Sequence, residues 1–192
     1  MGGFVDVDEA MIAGARIEDA DIASNADIKP IKIEKRSLFI QAPLNESILS
    51  GASVAHSIEG IFDVITLPDA NSGTITITTA APRGEISPGD KVKLHIWWLT
   101  TATSGSARFI ANIKPATEGI SGLGSAVEKA ILSDARGSAD QFIEAIIEFP
   151  AAIFTNNQLI GIKITRDGTN SLDDLGADLR VGAVYLEMQG RC

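Results

Sequence analysis

Val92, Leu94, Ile96 and Trp98 alternate with Lys91, Lys93, His95, Trp97 and Leu99 behind a Pro-Gly-Asp turn. A period of two over about nine residues is the pattern of a long, half-buried antiparallel strand. Both tryptophans of the chain fall in it, which puts the centre of the core here. The more polar series ends on Trp97 and Leu99, where a solvated strand carries polar residues. Either a loop of the same chain covers that pair or a neighbouring subunit does, because clustered surface apolar groups mark interaction sites.

The rest of the chain carries further runs of this kind. Ile58–Leu67 is apolar on both faces and stops at Pro68, and Thr74–Thr79 alternates cleanly. Ala107–Lys114 follows a short Ser/Gly link, which predicts a hairpin with the tryptophan strand. Gln141–Phe149 ends at Pro150, Leu159–Arg166 turns Ile160, Ile162 and Ile164 inward, and Leu179–Met188 is the last run. Between them, Ser125 with Glu128 makes a capping-box pattern, and Val127, Ala130 and Ile131 share a helical face. A short helix or a crossing loop is expected over 119–137. Seven or eight strands, turn signals every 10–15 residues or so and little helix predict an all-β, antiparallel β-sandwich, jelly-roll-like in its long links.

The first 36 residues follow a different rule. Ile12, Ile17, Ile22 and Ile28 each trail an alanine by two positions, at spacings of five, five and six. That matches neither a helix nor a strand, and four copies are too few for a stacked solenoid. Residues 1–36 therefore read as an extended N-terminal arm that buries its isoleucines against other chains, the rival being a weakly helical leader. Residues 37–57 read as a connector and 58–192 as the sandwich.

Composition narrows the function. The formal charge is −9 with no basic cluster, which argues against nucleic acid, whose phosphates need lysine and arginine along a groove. One cysteine, Cys192, rules out an intramolecular disulfide framework and a cysteine-based zinc site. No apolar run approaches the ~20 residues of a membrane span. The first ten residues carry Asp6, Asp8 and Glu9 and no lysine or arginine, unlike a signal peptide.

Candidate chemistry is thin. The chain has two histidines, His56 and His95, and neither a G-x-S-x-G elbow nor an H-E-x-x-H run. Glu144 and Glu148 share a strand face but stand roughly 13 Å apart, too far for a glycosidase pair. No catalytic residue and no cofactor is assigned. Asp167, Asp173, Asp174 and Asp178 form an acidic loop of hard oxygen ligands that could suit calcium. The same residues are ordinary turn and capping chemistry, and that reading is preferred.

The run Ala139-Asp140-Gln141, then Glu148-Phe149-Pro150, Ile162–Gly168, Asp173–Asp178 and Val184–Glu187 resembles the C-terminal β-sandwich of tailed-phage virion proteins. In that group an Arg-Asp-Gly turn and an acidic loop join the last two strands. The segment ADIASNADIKPIKI resembles parts of phage fibre and head-appendage proteins. The resemblance implies a non-enzymatic virion component, assembled in a host cytoplasm: a capsid decoration or cement protein, or a short head fibre. Its partners would be the major capsid protein, through the arm, and itself as a homotrimer, through Trp97 and Leu99. The alternative is a receptor- or glycan-binding module of a tail fibre, for which Trp97 and Tyr185 are the candidate aromatics.

Overall fold

The computed structural model describes residues 36–191 apart from 81–84, 87–90, 118–125 and 155–157. The arm and its four isoleucines lie outside the described residues. What is described belongs to one compact unit, Glu34–Cys192.

Twelve strands are described: β1 (Arg36–Ala42), β2 (Ile48–Ser50), β3 (Ala55–Glu59), β4 (Phe62–Leu67), β5 (Ser72–Ala80), β6 (Glu85–Ile86), β7 (Lys91–Thr100), β8 (Ser106–Thr117), β9 (Val127–Asp134), β10 (Ile143–Pro150), β11 (Gln158–Asp167) and β12 (Leu179–Arg191). The first sheet runs β10-β7-β12-β4-β3, with β1 and β6 also paired to β12; the second runs β2-β5-β11-β8-β9. Every ladder is antiparallel. The chain is an all-β antiparallel sandwich.

The alternation that predicts the strands also builds the core. Val92, Leu94, Ile96 and Trp98 of β7 face Ile75 and Ile77 of β5, Phe109 and Ile113 of β8, and Ile160, Ile162 and Ile164 of β11 in one buried cluster. Trp98 meets Phe109 edge-to-face at 5.8 Å across the two sheets. Its indole N–H donates to Ser133 Oγ at 3.0 Å, so the largest core side chain leaves no polar atom unpaired.

Four expectations change. Residues 37–57 are not a connector: they hold β1, a 3-10 turn (Leu44–Glu46), β2 and the start of β3, and so contribute strands to both sheets. Ile58–Leu67 is not one strand but part of a hairpin, β3–β4, turning through Gly60 and Ile61. β7 and β8 do not pair. The link between them crosses from one sheet to the other, and Gly105 takes it through φ +93° where a Cβ would strike Asp174 O at 2.5 Å. Finally, 127–134 is strand β9 on β8, not a helix. Val127 and Ile131 stand four apart, a spacing that serves a helix face and two strand repeats equally, and the open edge of β8 decides between them.

Candidate functional site

Register lays a grid of side chains on the outer face of the first sheet. Across β10, β7 and β12, one row reads Glu144–Trp97–Ala183. The next, extended by β1, reads Ile146–His95–Tyr185–Gln41, and the third Glu148–Lys93–Glu187–Phe39. Trp97, Tyr185 and Phe39 thus form a diagonal, each one strand and one row from the last. Diagonal neighbours sit ~7–8 Å apart, within reach of aromatic rings. Trp97 is 37% exposed and Phe39 63% exposed, with the half-buried Tyr185 between them.

Beneath the diagonal lies a polar network. The His95 ring stacks on Tyr185 at 4.4 Å and 10°, and Phe39 meets Tyr185 edge-on at 5.7 Å. His95 Nδ1 is 2.8 Å from Glu144 Oε1, and Nε2 is 3.2 Å from Glu187 Oε2. An ionised carboxylate only accepts, so a protonated ring satisfies both glutamates while a neutral ring can donate to one. Tyr185 donates its hydroxyl to Glu144 Oε1 at 2.8 Å and accepts the Trp97 indole N–H at 3.4 Å. Ser37 donates to Glu187 Oε1 at 3.0 Å, and Lys93 Nζ lies 3.6 Å from Glu187 Oε2.

Burial alone would raise the glutamate pKa values, but their partners win. Hydrogen bonds from Tyr185 and His95 hold Glu144 below the ordinary value of 4.5. Hydrogen bonds from Ser37 and His95, with the Lys93 charge, do the same for Glu187. Burial, with the two glutamate charges nearby, pushes the Tyr185 phenol up. At neutral pH the face therefore presents fixed carboxylates beside aromatic surface.

A cleft of about 690 Å³ opens at the upper end of this face. β12 is paired with β4 through Leu179–Val181 and with β1 from Val184 onward, so β1 and β4 fork around Gly182 and Ala183. The register with β7 shifts at the same point, between Val181 and Ala183. Gly182 also admits the Phe142 ring: a Cβ there would meet Phe142 Cε1 at 2.7 Å.

The structure separates the expected contact pair. Trp97 is exposed, but Leu99 is 2% exposed and belongs to the protein's own interior. Arg180 stands beside Leu99 on β12 and is held by Glu59 and, at 2.5 Å, by Asp140. Asp140 N–H donates in turn to Thr100 O at 2.7 Å, which ties its loop to the end of β7. Leu99 is thus buried within the chain itself, without a neighbouring subunit.

The acidic loop serves a buried arginine. Arg166 continues the inward series of Ile160, Ile162 and Ile164 and is 0% exposed. Its guanidinium donates to both Asp173 carboxylate oxygens (3.1 and 2.8 Å), to Asp69 Oδ1 (2.7 Å), and to the carbonyls of Ala177 (2.8 Å) and Leu67 (3.3 Å). Asp173 Oδ2 also accepts the Arg108 backbone N–H at 2.9 Å. Asp174 accepts from Ser106 N–H at 2.7 Å, Asp178 from Asp69 N–H at 2.9 Å, and Asp167 pairs with Arg108. The four carboxylates point to four different tasks, and no cluster able to hold a metal occurs among the described residues.

No family model matches the chain, and no curated protein matches it. Among solved structures the chain is similar to a family 35 carbohydrate binding module from Clostridium thermocellum, with a TM-score of 0.50 and 12% identity over 78% of this chain and 97% of that one. The CBM36-1 domain of a multidomain xylanase from the hindgut metagenome of Trinervitermes trinervoides aligns with a TM-score of 0.45 and 16% identity, over 82% of this chain and 99% of that one. At such identities the first likeness establishes a common β-sandwich fold and nothing finer.

Proposed function

We propose that this sandwich is a non-catalytic glycan-binding module whose ligand lies across the outer face of the first sheet. The observation that carries the reading is the Trp97–Tyr185–Phe39 diagonal set among ionised carboxylates. A sugar ring presents C–H groups on its faces and hydroxyls around its rim. Exposed aromatic surface suits the first and fixed carboxylate acceptors suit the second. A rigid strand platform loses little entropy on binding, so a few contacts suffice to hold a ligand without chemistry. Glu144 and Glu187 are both held below the ordinary carboxylate range, so neither is poised to give a proton at neutral pH, as a glycosidase acid must. The sandwich fold shared with a carbohydrate-binding module supports this reading.

An array of neutral oligosaccharides, probed with the wild-type protein and with Trp97→Ala, tests the proposal. Binding by the wild type that the variant loses is expected. The competing reading, a virion component that trimerises through the same face, expects Trp97→Ala to alter sedimentation instead and leaves the array blank for both proteins.

A further inference from the structure

We infer that the cleft in the fork between β1 and β4 seats the terminal sugar of the glycan, so that the module recognises chain ends; this rests on the platform reading above. The cleft and the platform are continuous. Ala183 and Gln41, which line the cleft, are the register partners of Trp97 and Tyr185. The fork therefore adjoins the platform at the Trp97 and Tyr185 rows, to one side of the diagonal.

The sequence builds a recess there where it builds packed core elsewhere. On β5, Ile75 and Ile77 face inward and are buried, and Thr79, next in that series, replaces a third apolar residue. Thr79 lines the cleft together with the small residues Ala42 and Gly182 of the first sheet. A polar interior position beside small residues is filled less fully by packing, and it can be wet. Strand pairing points the same way. Gly182 and Ala183 fall between the β4 and β1 ladders, so no strand covers their peptide groups on the fork side.

The walls define the ligand. On one side β1 leaves the sheet through Pro43 and the 3-10 turn; on the other stands the tip of the β3–β4 hairpin with Ile61 and Phe62. A chain threading onward meets these walls, whereas a chain end fits between them. Asn45 and Gln41 supply amides that both donate and accept, and Asp63 supplies a carboxylate, which is the pairing that sugar hydroxyls need. None of the described lining residues is a lysine, arginine or histidine, and an acidic sugar set among them would leave its charge uncompensated. The class is a neutral terminal sugar. The volume lies in the range of small-ligand sites, roughly 300–1,000 Å³.

Titration calorimetry with neutral galactan, xylan, mannan and glucan fragments of graded length, and with the matching long polysaccharides, tests the assignment. One protein bound per chain is expected at every length. The double variant Asp63→Ala/Asn45→Ala, at two exposed positions, should keep the wild-type circular dichroism and lose at least about tenfold in affinity, or about 1.4 kcal/mol. Several proteins per polysaccharide chain, or unchanged affinity in the folded double variant, overturns the chain-end assignment while Trp97→Ala still reports on the platform. No binding of any fragment by the wild type overturns both.

Discussion

Arg166 and His95 are each placed between two carboxylates, and they do opposite things. Arg166 sits between Asp69 and Asp173 with every guanidinium N–H directed at an oxygen of the chain and no surface exposed. Its charge is permanent and its partners leave nothing for a ligand. His95 sits between Glu144 and Glu187, just beneath the surface. Above it the aromatic diagonal remains partly open to solvent. A charge cluster closed on itself joins loops to a core, whereas a cluster that supports exposed rings prepares a surface for something else.

The first way to break that contrast is to cut the closed cluster. Arg166→Ala leaves Asp173, itself without exposed side chain, with its charge buried and unpaired. A loss of about 3–5 kcal/mol is expected in chemical denaturation. Arg166→Lys should rescue only part of it, because an ammonium cannot fork to two carboxylates and two carbonyls at once. A loss within about 1 kcal/mol for the alanine variant would mean that the cluster is solvated and the contrast false.

Trp97→Ala attacks the open cluster and should reverse the pattern. Tryptophans at the centre of a binding surface cost about 2 kcal/mol or more when truncated, roughly thirtyfold in affinity. Stability should move by no more than about 1 kcal/mol, because the side chain is partly exposed. Lys163→Ala, on an exposed position of the opposite sheet, is the control and should change neither quantity.

Acid titration gives the smallest effect and reads the open cluster alone. Glu144 and Glu187 have folded pKa values below 4.5, so what they contribute to stability is complete above that value and is lost as pH falls below it. Tyr185→Phe removes the hydrogen bond that does most to lower Glu144. It should therefore flatten the loss of stability below about pH 4.5, by about 1 kcal/mol at most. An unchanged acid slope would detach Tyr185 from the network.

Much of this fold is legible in the chain because strand alternation is a local signal. Val92 to Trp98 and Ile160 to Ile164 face inward as their spacing requires. What fails is what depends on distant partners. Val127 and Ile131 cannot choose between helix and strand until the open edge of β8 is known. Gly60 hides a turn inside an apolar run, and Leu99 is buried on a strand where β12, some eighty residues further on, sets Arg180 beside it. The site is legible in the same partial way. Trp97 and Tyr185 stand out as aromatics, but His95, Glu144, Glu187 and Phe39 become a site only through the registers of β10, β12 and β1 on β7 and each other. Arg166 did carry a local signal, since it occupies an inward position of an alternating run, and a buried arginine demands the carboxylates that the acidic loop supplies.

The most direct test uses the two tryptophans as paired reporters. Trp98 Nε1–H is locked to Ser133 in the core, and Trp97 Nε1–H lies on the platform against Tyr185. In a heteronuclear NMR titration with the oligosaccharide that binds best on the array, the Trp97 indole signal should shift and saturate while the Trp98 signal holds still. A stationary Trp97 signal at saturating oligosaccharide, or shifts centred on Thr76 and Lys163 of the opposite sheet, would contradict the account.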